Sequence, residues 1–466
     1  MRLAGFAAAV AVSAVLLAPA RASADAHDLQ ALVDAAPAGS TIEVPAGTYD
    51  GSLRIDKPVR LVAVGEVTID GGRKGSAVEV HAPDVSIEGF VIRGSGTSLN
   101  SMESGVKLLA PRARLVDNRI EDALFGVWLE NSPDSYVADN VVVGKDLDLA
   151  VRGDGLRIFG CDRCRFERNA VHDTRDSVIW YSKNVEFVDN EVTGSRYGLH
   201  FMFADDTVVR DSRFTDNSVG VYVMNSKNIR IENSLMARNV GPSGDGLGLK
   251  DTDGFEATGN RILANRVGLY VDNSPTELGI HHYFRENMIA FNEIGLQFLP
   301  SVQRNVFTDN VITDNAKQVS VEGGGAFHGN DWSLDGRGNH WGDYAGFDSD
   351  GDGIGDVPYR IEDLFGTLTD REPALNLFTG TPASRAMDLA ARAFPLLRPD
   401  PKVVDDSPLI HAPPIPPVRG AEERPRSAWA LLVAVALVVA AAALVASSGA
   451  FAGPRRSRRK PVEAPA

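Results

Sequence analysis

Two neighbouring segments of similar sequence carry the residues best suited to bind a metal, Gly198-Leu-His-Phe-Met202 and Gly220-Val-Tyr-Val-Met224. Side chains alternate between the two faces of a strand, so if both segments are strands, His200, Met202 and Met224 share one face. Same-face residues lie about 6.6 Å apart along a strand, and adjacent strands lie about 4.8 Å apart, so the three side chains can converge. Imidazole and thioether groups are soft ligands that suit Cu(I). The three residues are therefore a candidate Cu(I) site.

The face that carries these ligands continues as an apolar stripe. Counting from the glycine that begins each segment, the second and fourth positions point outward. This alternation places Phe159 and Trp180 in line with Met202 and Met224, and Tyr222 beside them. A stripe of this kind fits contact with a partner protein, and a covering loop of the same chain would explain it as well. We interpret Phe159, Trp180 and Tyr222 as a partner-contact stripe.

An aspartate-rich loop is the sharpest local motif. Asp348, Asp350, Asp352 and Asp356 stand at positions 1, 3, 5 and 9 around a glycine at position 6. Carboxylates in this arrangement suit Ca²⁺, which prefers oxygen ligands. The loop departs from the EF-hand pattern because position 12 is Tyr359 in place of a bidentate glutamate. The prediction is a structural Ca²⁺ site, with a turn-rich loop that binds no metal as the alternative.

The chain has two cysteines, Cys161 and Cys164, separated by two residues. In an oxidising compartment such a pair can close a small disulfide, and if it stays reduced it can bind a soft metal. The disulfide is the favoured prediction.

The elements that position these residues are repeats of about 22 residues. Where no insertion intervenes the step is regular, and from Asn190 it runs through Ser212 to Ser234. Units this short cannot bury a core alone and must stack on one another. Alternating apolar residues indicate strands, and the asparagines that recur at one bend suit a turn that each coil repeats. The pattern predicts an all-β parallel β-helix. Its glycine-led strands are Gly126–Glu130, Gly155–Phe159, Gly198–Met202, Gly220–Met224, Gly246–Lys250, Gly268–Asp272 and Gly295–Leu299.

Both ends of a solenoid need caps. Asp28 can N-cap a short helix with Leu29, Leu32 and Val33 on one face, so the β-helix with this plug is assigned to residues 25–330. Residues 331–411 form an Asp/Gly-rich cap region with a short helix at about 384–394, and the Pro-rich residues 412–427 are a stiff linker.

The chain termini read as targeting segments. Arg2, an apolar stretch and Ala22-Ser23-Ala24 predict a secretory signal peptide at residues 1–24. Residues 428–447 are apolar over a length that spans a bilayer, although a buried apolar helix is the alternative. The basic tail at 448–466 places the C-terminus in the cytoplasm by the positive-inside rule. The sequence thus predicts a periplasmic domain anchored to the inner membrane.

The charge balance limits the partners. The chain has 466 residues, 47 Lys plus Arg against 62 Asp plus Glu, and a net charge of −15. An acidic surface argues against nonspecific nucleic-acid binding, because phosphates need basic residues. It suits cations or a basic partner, and it also serves solubility.

The chain resembles the NosD family, periplasmic accessory proteins of nitrous oxide reductase maturation. The resemblance rests on Gly198–Met202, Gly220–Met224, Arg175–Ser182 and, above all, Asn339-His-Trp-Gly-Asp-Tyr344 followed by Asp348–Tyr359. It implies a right-handed β-helix that works with an ABC-type membrane permease and a cytoplasmic ATPase. It also implies assistance in assembling the copper centres of the reductase, with copper received from a lipoprotein chaperone or with direct contact to apo-nitrous oxide reductase.

Two other classes of function compete with a non-enzymatic maturation factor. A carbohydrate-active enzyme, a polysaccharide lyase or hydrolase, would use the same fold, because fold alone does not decide function. It would need an outward pair of carboxylates, or carboxylates with Ca²⁺ and a basic residue, on neighbouring coils. The outward-pointing second and fourth positions of the strands, which form two columns along the coil, carry only scattered charged residues. A passive surface scaffold is the third class.

Overall fold

The computed structural model describes residues 28–325 and 327–418, together with Leu437. The predicted signal peptide at 1–24 and the tail at 448–466 lie outside the described residues, as does the predicted membrane helix at 428–447 apart from Leu437. Among the described residues, no helix is both long enough and apolar enough to cross a bilayer.

The described chain winds into a right-handed parallel β-helix of about 12 turns, which confirms the predicted fold. One wall is a parallel sheet of twelve strands, each paired with the corresponding strand of the next coil. Its strands are Leu53–Ile55, Val78–Val80, Ser104–Leu108, Phe125–Glu130, Leu156–Phe159, Asp176–Trp180, Tyr197–Met202, Val219–Met224, Asp245–Lys250, Val267–Asp272, Ile294–Phe298 and Lys317–Val321. We call this wall the site sheet.

Two shorter strands per coil form the remaining walls, linked through two long N-terminal strands. These strands are Thr41–Asp50, Arg60–Asp70, Ser86–Glu88, Val91–Arg93, Arg114–Val116, Arg119–Ala123, Tyr136–Ala138, Val141–Gly144, Arg165–Glu167, Ala170–His172, Glu186–Val188, Glu191–Thr193, Val208–Arg210, Arg213–Thr215, Arg230–Glu232, Leu235–Ala237, Glu256–Thr258, Arg261–Leu263, His282–Arg285, Met288–Ala290, Asn305–Thr308, Val311–Thr313 and His340–Trp341. The parallel pairing therefore reaches His340–Trp341, ten residues past the expected end of the coil at 330.

The inward positions of the site sheet fill the core as the alternation predicts. Leu199, Phe201, Val221 and Val223 are fully buried. Where a coil has a glycine near the start of its site-sheet strand, close stacking requires it, because a Cβ at Gly198 would lie 2.6 Å from the carbonyl oxygen of Gly220. The glycines therefore line up along the coil axis, and each strand starts at the same bend.

Buried asparagines form a ladder at one corner of the coil, at a bend that includes one residue with left-handed backbone. The left-handed conformation belongs to the preceding residue, such as Asp139 before Asn140 and Asp189 before Asn190. Asn140 Nδ2 donates to Leu115 O at 2.8 Å and to Asn169 Oδ1 at 2.9 Å. The ladder thus satisfies the backbone at each bend, and through Ser212 and Ser234 it keeps the predicted step.

Helices close the two ends. Helix α1, Leu29–Ala35, is capped by Asp28 as predicted; it buries Leu29 and Val33 while Leu32 is exposed. At the other end lie α2, Leu364–Arg371, and α3, Pro382–Ala393, with 3₁₀ turns at Pro373–Phe378 and Pro395–Leu397, and a further 3₁₀ turn, Leu149–Val151, lies between two strands in the middle of the coil. The hairpin Tyr359–Ile361 and Val403–Asp405 completes this cap.

The Asn-His-Trp motif is the last step of the asparagine ladder. Asn310 N donates to Asn339 Oδ1 at 3.2 Å, and Asn339 N donates in turn to Asp405 Oδ2 at 2.8 Å. The same carboxylate accepts a hydrogen bond from Trp341 Nε1 at 2.9 Å. Asp405 therefore takes the place that the asparagine of a further coil would occupy, and it ends the solenoid. The first residues of the predicted linker at 412–427 lie against the coil, because Pro416 Cγ would be 3.5 Å from a Cβ at Gly259, and Val418 is buried.

Candidate metal site on the outward face

The strand register confirms the two outward columns expected from the sequence. His200 pairs with Tyr222 and Met202 with Met224. On the preceding coils, Trp180 pairs with Met202 and Phe159 with Trp180. All six side chains are half-buried. The stripe is therefore a continuous outward surface of the site sheet.

The imidazole of His200 reaches one of the two predicted sulfur ligands. Its Nε2 lies 3.3 Å from Met224 Sδ on the next coil. Met202 stands beside Met224 in the register and two residues from His200 on the same face. Burial lowers the pKa of His200 to about 4, so its ring is neutral near pH 7 and has a lone pair available for a metal. These donors fit a soft cation such as Cu(I).

Tyr197, which the sequence analysis missed, fixes the orientation of this imidazole. Its ring stacks on that of His200 with centroids 4.7 Å apart, and it meets Tyr222 edge-on. The guanidinium of Arg196 lies over the Tyr197 ring, 5.1 Å from its centroid, and forms an ion pair with Asp176. Tyr197 is the first residue of its strand and precedes Gly198, so counting forward from that glycine left it out.

Tyr222 lies flat beside the site because the next coil has a glycine under its ring. A Cβ at Gly248 would lie 2.3 Å from two ring carbons of Tyr222. Any larger residue would displace the ring and with it the edge contact to His200. Gly248 thus shapes the wall of the candidate site.

Two exposed aromatic rings flank the site at positions where other coils use turn residues. Tyr181 and Phe203 stack with centroids 5.0 Å apart and rings 3° from parallel, and Tyr181 also stacks on Trp180. Both have left-handed backbone, with φ of 48° and 52°. Bulky residues rarely adopt this conformation, and the cost of such strain points to a functional role. The sequence indicates that these two residues are unusual, because the equivalent turns of other coils carry typical turn residues: Asn131, Gly160, Asn225, Asp251 and Asn273.

Two basic residues of the outward columns form ion pairs. Arg157 Nη1 contacts the buried Asp154 at 2.6 Å, and Lys250 pairs with Asp272. Burial raises the pKa of Asp154 despite this pairing. Among the described residues of the two columns, no two carboxylates pair directly in the strand register. The arrangement that a polysaccharide lyase or hydrolase needs is therefore not found there.

Both cysteines are free thiols in the structure, which differs from the favoured disulfide. Each lies in the core of the coil and hydrogen-bonds to backbone: Cys161 Sγ to Phe159 O at 3.3 Å and Cys164 Sγ to Ser132 O at 3.2 Å. The hydrogen bond with Cys164 and burial raise the pKa of Cys161. The same hydrogen bond lowers the pKa of Cys164, and both side chains pack among the hydrophobic residues of the core.

The aspartate loop brings three of its four predicted carboxylates together. One oxygen from each of Asp348, Asp350 and Asp352 lies within 4.8 Å of the others, whereas Asp356 Oδ2 accepts a hydrogen bond from Ser349 N. Hydrogen bonds from Gly353 N and Gly351 N lower the pKa of Asp348. Tyr359, at position 12, is buried and donates to Asp343 Oδ1. The calcium site remains a prediction.

We expect Asp350→Asn to lower the melting temperature only when Ca²⁺ is present, because the substitution removes one ligand charge and leaves the fold of the loop intact. Differential scanning calorimetry with Ca²⁺ and with a chelator measures this. Equal melting temperatures of the two proteins under both conditions would show that the loop binds no Ca²⁺.

Comparisons with known proteins agree with this architecture. Residues 139–346 match a family model described as "Periplasmic copper-binding protein (NosD)". Two curated relatives are each named "Probable ABC transporter binding protein NosD". The one from Stutzerimonas stutzeri is 28% identical, covering 86% of this chain and 94% of its own. The one from Pseudomonas aeruginosa is 28% identical, covering 82% and 89%.

Among solved structures, the A-module of the Azotobacter vinelandii mannuronan C-5 epimerase AlgE6 superposes with a TM-score of 0.52 at 14% identity, covering 66% of this chain and 93% of its own. This likeness supports the β-helix fold alone. The candidate site at His200, Met202 and Met224 lies inside the segment that matches the family model. Residues 139–346 are therefore similar to the NosD family model, and the chain is similar to curated NosD proteins over most of its length.

Proposed function

We propose that this protein is a periplasmic factor that binds Cu(I) transiently on the outward face of its site sheet, at His200, Met202 and Met224, and passes it on. The observation that carries the proposal is the contact between His200 Nε2 and Met224 Sδ at 3.3 Å. Support comes from the family description, which names copper binding, and from the relatives, which are named as binding proteins of ABC transporters.

The surroundings of the site suit a metal that must be received and released. The ligands come from rigid strands, so they are held in place before the metal arrives. They are half-buried on an outer surface, so a partner can approach the bound ion directly. Thioether ligands stabilise Cu(I), and a neutral imidazole adds a third donor without a charge that would hold the ion tightly.

The aromatic surface around the ligands gives a partner a place to bind. Phe159, Trp180, Tyr181 and Phe203 form a chain of ring contacts with centroids 5.0 to 5.7 Å apart. Exposed aromatic residues are enriched at protein interfaces. We infer that this surface contacts the copper-donating lipoprotein chaperone or apo-nitrous oxide reductase. The ABC-type permease and its ATPase would then drive the cycle, and this chain itself would catalyse no reaction.

The decisive test in cells is the copper content of nitrous oxide reductase. Cells that produce the His200→Ala, Met202→Ala, Met224→Ala variant should accumulate reductase depleted in copper, while the variant itself is present at normal levels. Reductase with full copper content would contradict the proposed function. Turnover of uronate polymers by the purified protein would instead favour the carbohydrate-active class.

The affinity for Cu(I) should stay nearly constant from pH 7.5 to 5.5. With a pKa of about 4, the His200 ring is unprotonated over this range, whereas an ordinary histidine with a pKa of about 6.5 would lose about tenfold in affinity. Chelator competition titrations at several pH values measure the profile.

Asp245 needs a control because it could titrate in the same pH range. Burial raises the pKa of its carboxyl to about 7, and its charge adds to burial in raising the pKa of Tyr222. Asp245→Asn should keep the flat profile, as should the parent protein. A tenfold fall toward pH 5.5 that persists in Asp245→Asn would show that His200 is not the buried, neutral ligand described here.

A further inference from the structure

Helix α3 and the 3₁₀ turn Pro395–Leu397 present an unusual surface to solvent. Leu389 is 68% exposed, Phe394 63%, Leu396 99% and Leu397 49%. A concentration of large apolar side chains in one short segment marks a contact surface, whereas single exposed residues do not. We call this segment, residues 382–398, the apolar tip.

The fold fixes which face of α3 is exposed. Ser384 and Ala391 are buried, and Asp388 Oδ1 accepts a hydrogen bond from Phe365 N at the start of α2. Thr381 caps the helix through a hydrogen bond with Ser384 N. Because this face of α3 packs against the rest of the cap, the opposite face of the helix is exposed to solvent.

Arginines and leucines alternate along that outward face. Arg385, Leu389 and Arg392 follow at steps of four and three residues, which places them on one stripe of α3, and Leu396 follows in the 3₁₀ turn beyond the end of the helix. Among the described residues, no carboxylate lies within ion-pair distance of Arg385 or Arg392, whereas Arg398 contacts Glu362 at 3.4 Å. The only acidic residue of the apolar tip, Asp388, faces α2. The tip is thus basic on a chain whose net charge is −15.

We propose that the apolar tip binds the surface of an anionic lipid bilayer. Leucine and phenylalanine side chains would enter the region between headgroups and acyl chains, and the guanidinium groups of Arg385 and Arg392 would reach the lipid phosphates. Each basic residue near an anionic surface adds to the electrostatic attraction.

The pattern favours a lipid surface over a protein groove. An apolar groove would leave the two arginines without partners, while a bilayer supplies phosphates along its whole surface and apolar depth beneath them. The amino-acid sequence also predicts a membrane segment at 428–447, beyond this tip. The inference is independent of copper binding, because the apolar tip and the His–Met site share no residue.

The test attaches an environment-sensitive NBD fluorophore to the full-length chain through Leu396→Cys. Cys161 and Cys164 are buried and will not react in the folded protein. The matched control is Leu278→Cys, at a residue 90% exposed in a loop of the coil. Each protein is reconstituted into vesicles of phosphatidylglycerol with phosphatidylethanolamine and, separately, into phosphatidylcholine vesicles.

The label at position 396 should brighten several-fold in the anionic vesicles and be quenched by lipids with a nitroxide on the acyl chain. It should brighten much less in phosphatidylcholine, or when Arg385→Glu and Arg392→Glu are added, and the label at position 278 should not respond. Three results would each overturn the proposal: a label at 396 that stays solvent-exposed in anionic vesicles, a rise that is equal in both lipids and survives the charge reversals, or a rise that requires an added membrane protein.

Discussion

Replacing His200, Met202 and Met224 together by alanine should lower the affinity of the purified protein for Cu(I) by more than about 100-fold. Loss of groups that only support metal ligands costs about 10- to 100-fold, so loss of the ligands themselves should cost more. The physical basis is the pair of donors at 3.3 Å, His200 Nε2 and Met224 Sδ, held on adjacent strands. Competition with a Cu(I)-specific chelator under reducing conditions measures the affinity.

A matched control removes the same chemical groups elsewhere. His281, Met288 and Met102 supply one imidazole and two thioethers outside the site sheet. Replacing these three by alanine should leave the affinity unchanged. An affinity that falls equally in both triple variants, or in neither, would remove the proposed site.

Replacing Asp370 by alanine should release the C-terminal cap from the coil. The Asp370 carboxylate is fully buried and binds Lys317, Ser320 Oγ and Lys402 Nζ, the last at 2.5 Å. Removing one member of a buried ionic cluster leaves unpaired charges and costs about 3–5 kcal/mol. Burial already lowers the pKa of Lys317, which shows how strongly this ammonium group depends on its partner. The rate of hydrogen exchange in α2 should rise by several orders of magnitude, because the free energy needed to open this helix falls by about 3–5 kcal/mol.

The control for the cap is Asp400→Ala, which changes an exposed aspartate in the same region. Its hydrogen exchange should match that of the parent protein. Unchanged protection of α2 in Asp370→Ala would mean that the cluster does not hold the cap in place.

The sequence predicts the site sheet well because the signal is local and repeated. Once Gly198 and Gly220 set the start of each strand, alternation assigns Phe201 and Val223 to the core and His200 to the surface. Repetition removes the ambiguity of strand register, since a slip by one residue would expose a whole row of core side chains. The two outward columns therefore follow from counting.

Features that depend on contacts between residues distant in the chain cannot be predicted by counting positions along the repeats. The roles of Asp370 and Asp405 arise from pairing with residues far away in the chain, Lys317 and Asn339. Tyr197 is the first residue of its strand, before Gly198, and its importance comes from stacking on His200 three residues later. The free state of Cys161 and Cys164 also follows from packing, because both thiols turn into the core. Spacing alone favoured a disulfide there.

The most direct test of Cu(I) binding at His200, Met202 and Met224 is to locate copper in the protein. Crystals of the Cu(I)-loaded protein, measured on both sides of the copper absorption edge, give an anomalous difference map that shows where the ion binds. We predict one main peak between His200 Nε2 and Met224 Sδ, within bonding distance of Met202 Sδ. A main peak at Cys161 and Cys164, at the aspartate loop Asp348–Asp356, or anywhere else away from the site sheet would contradict the central claim.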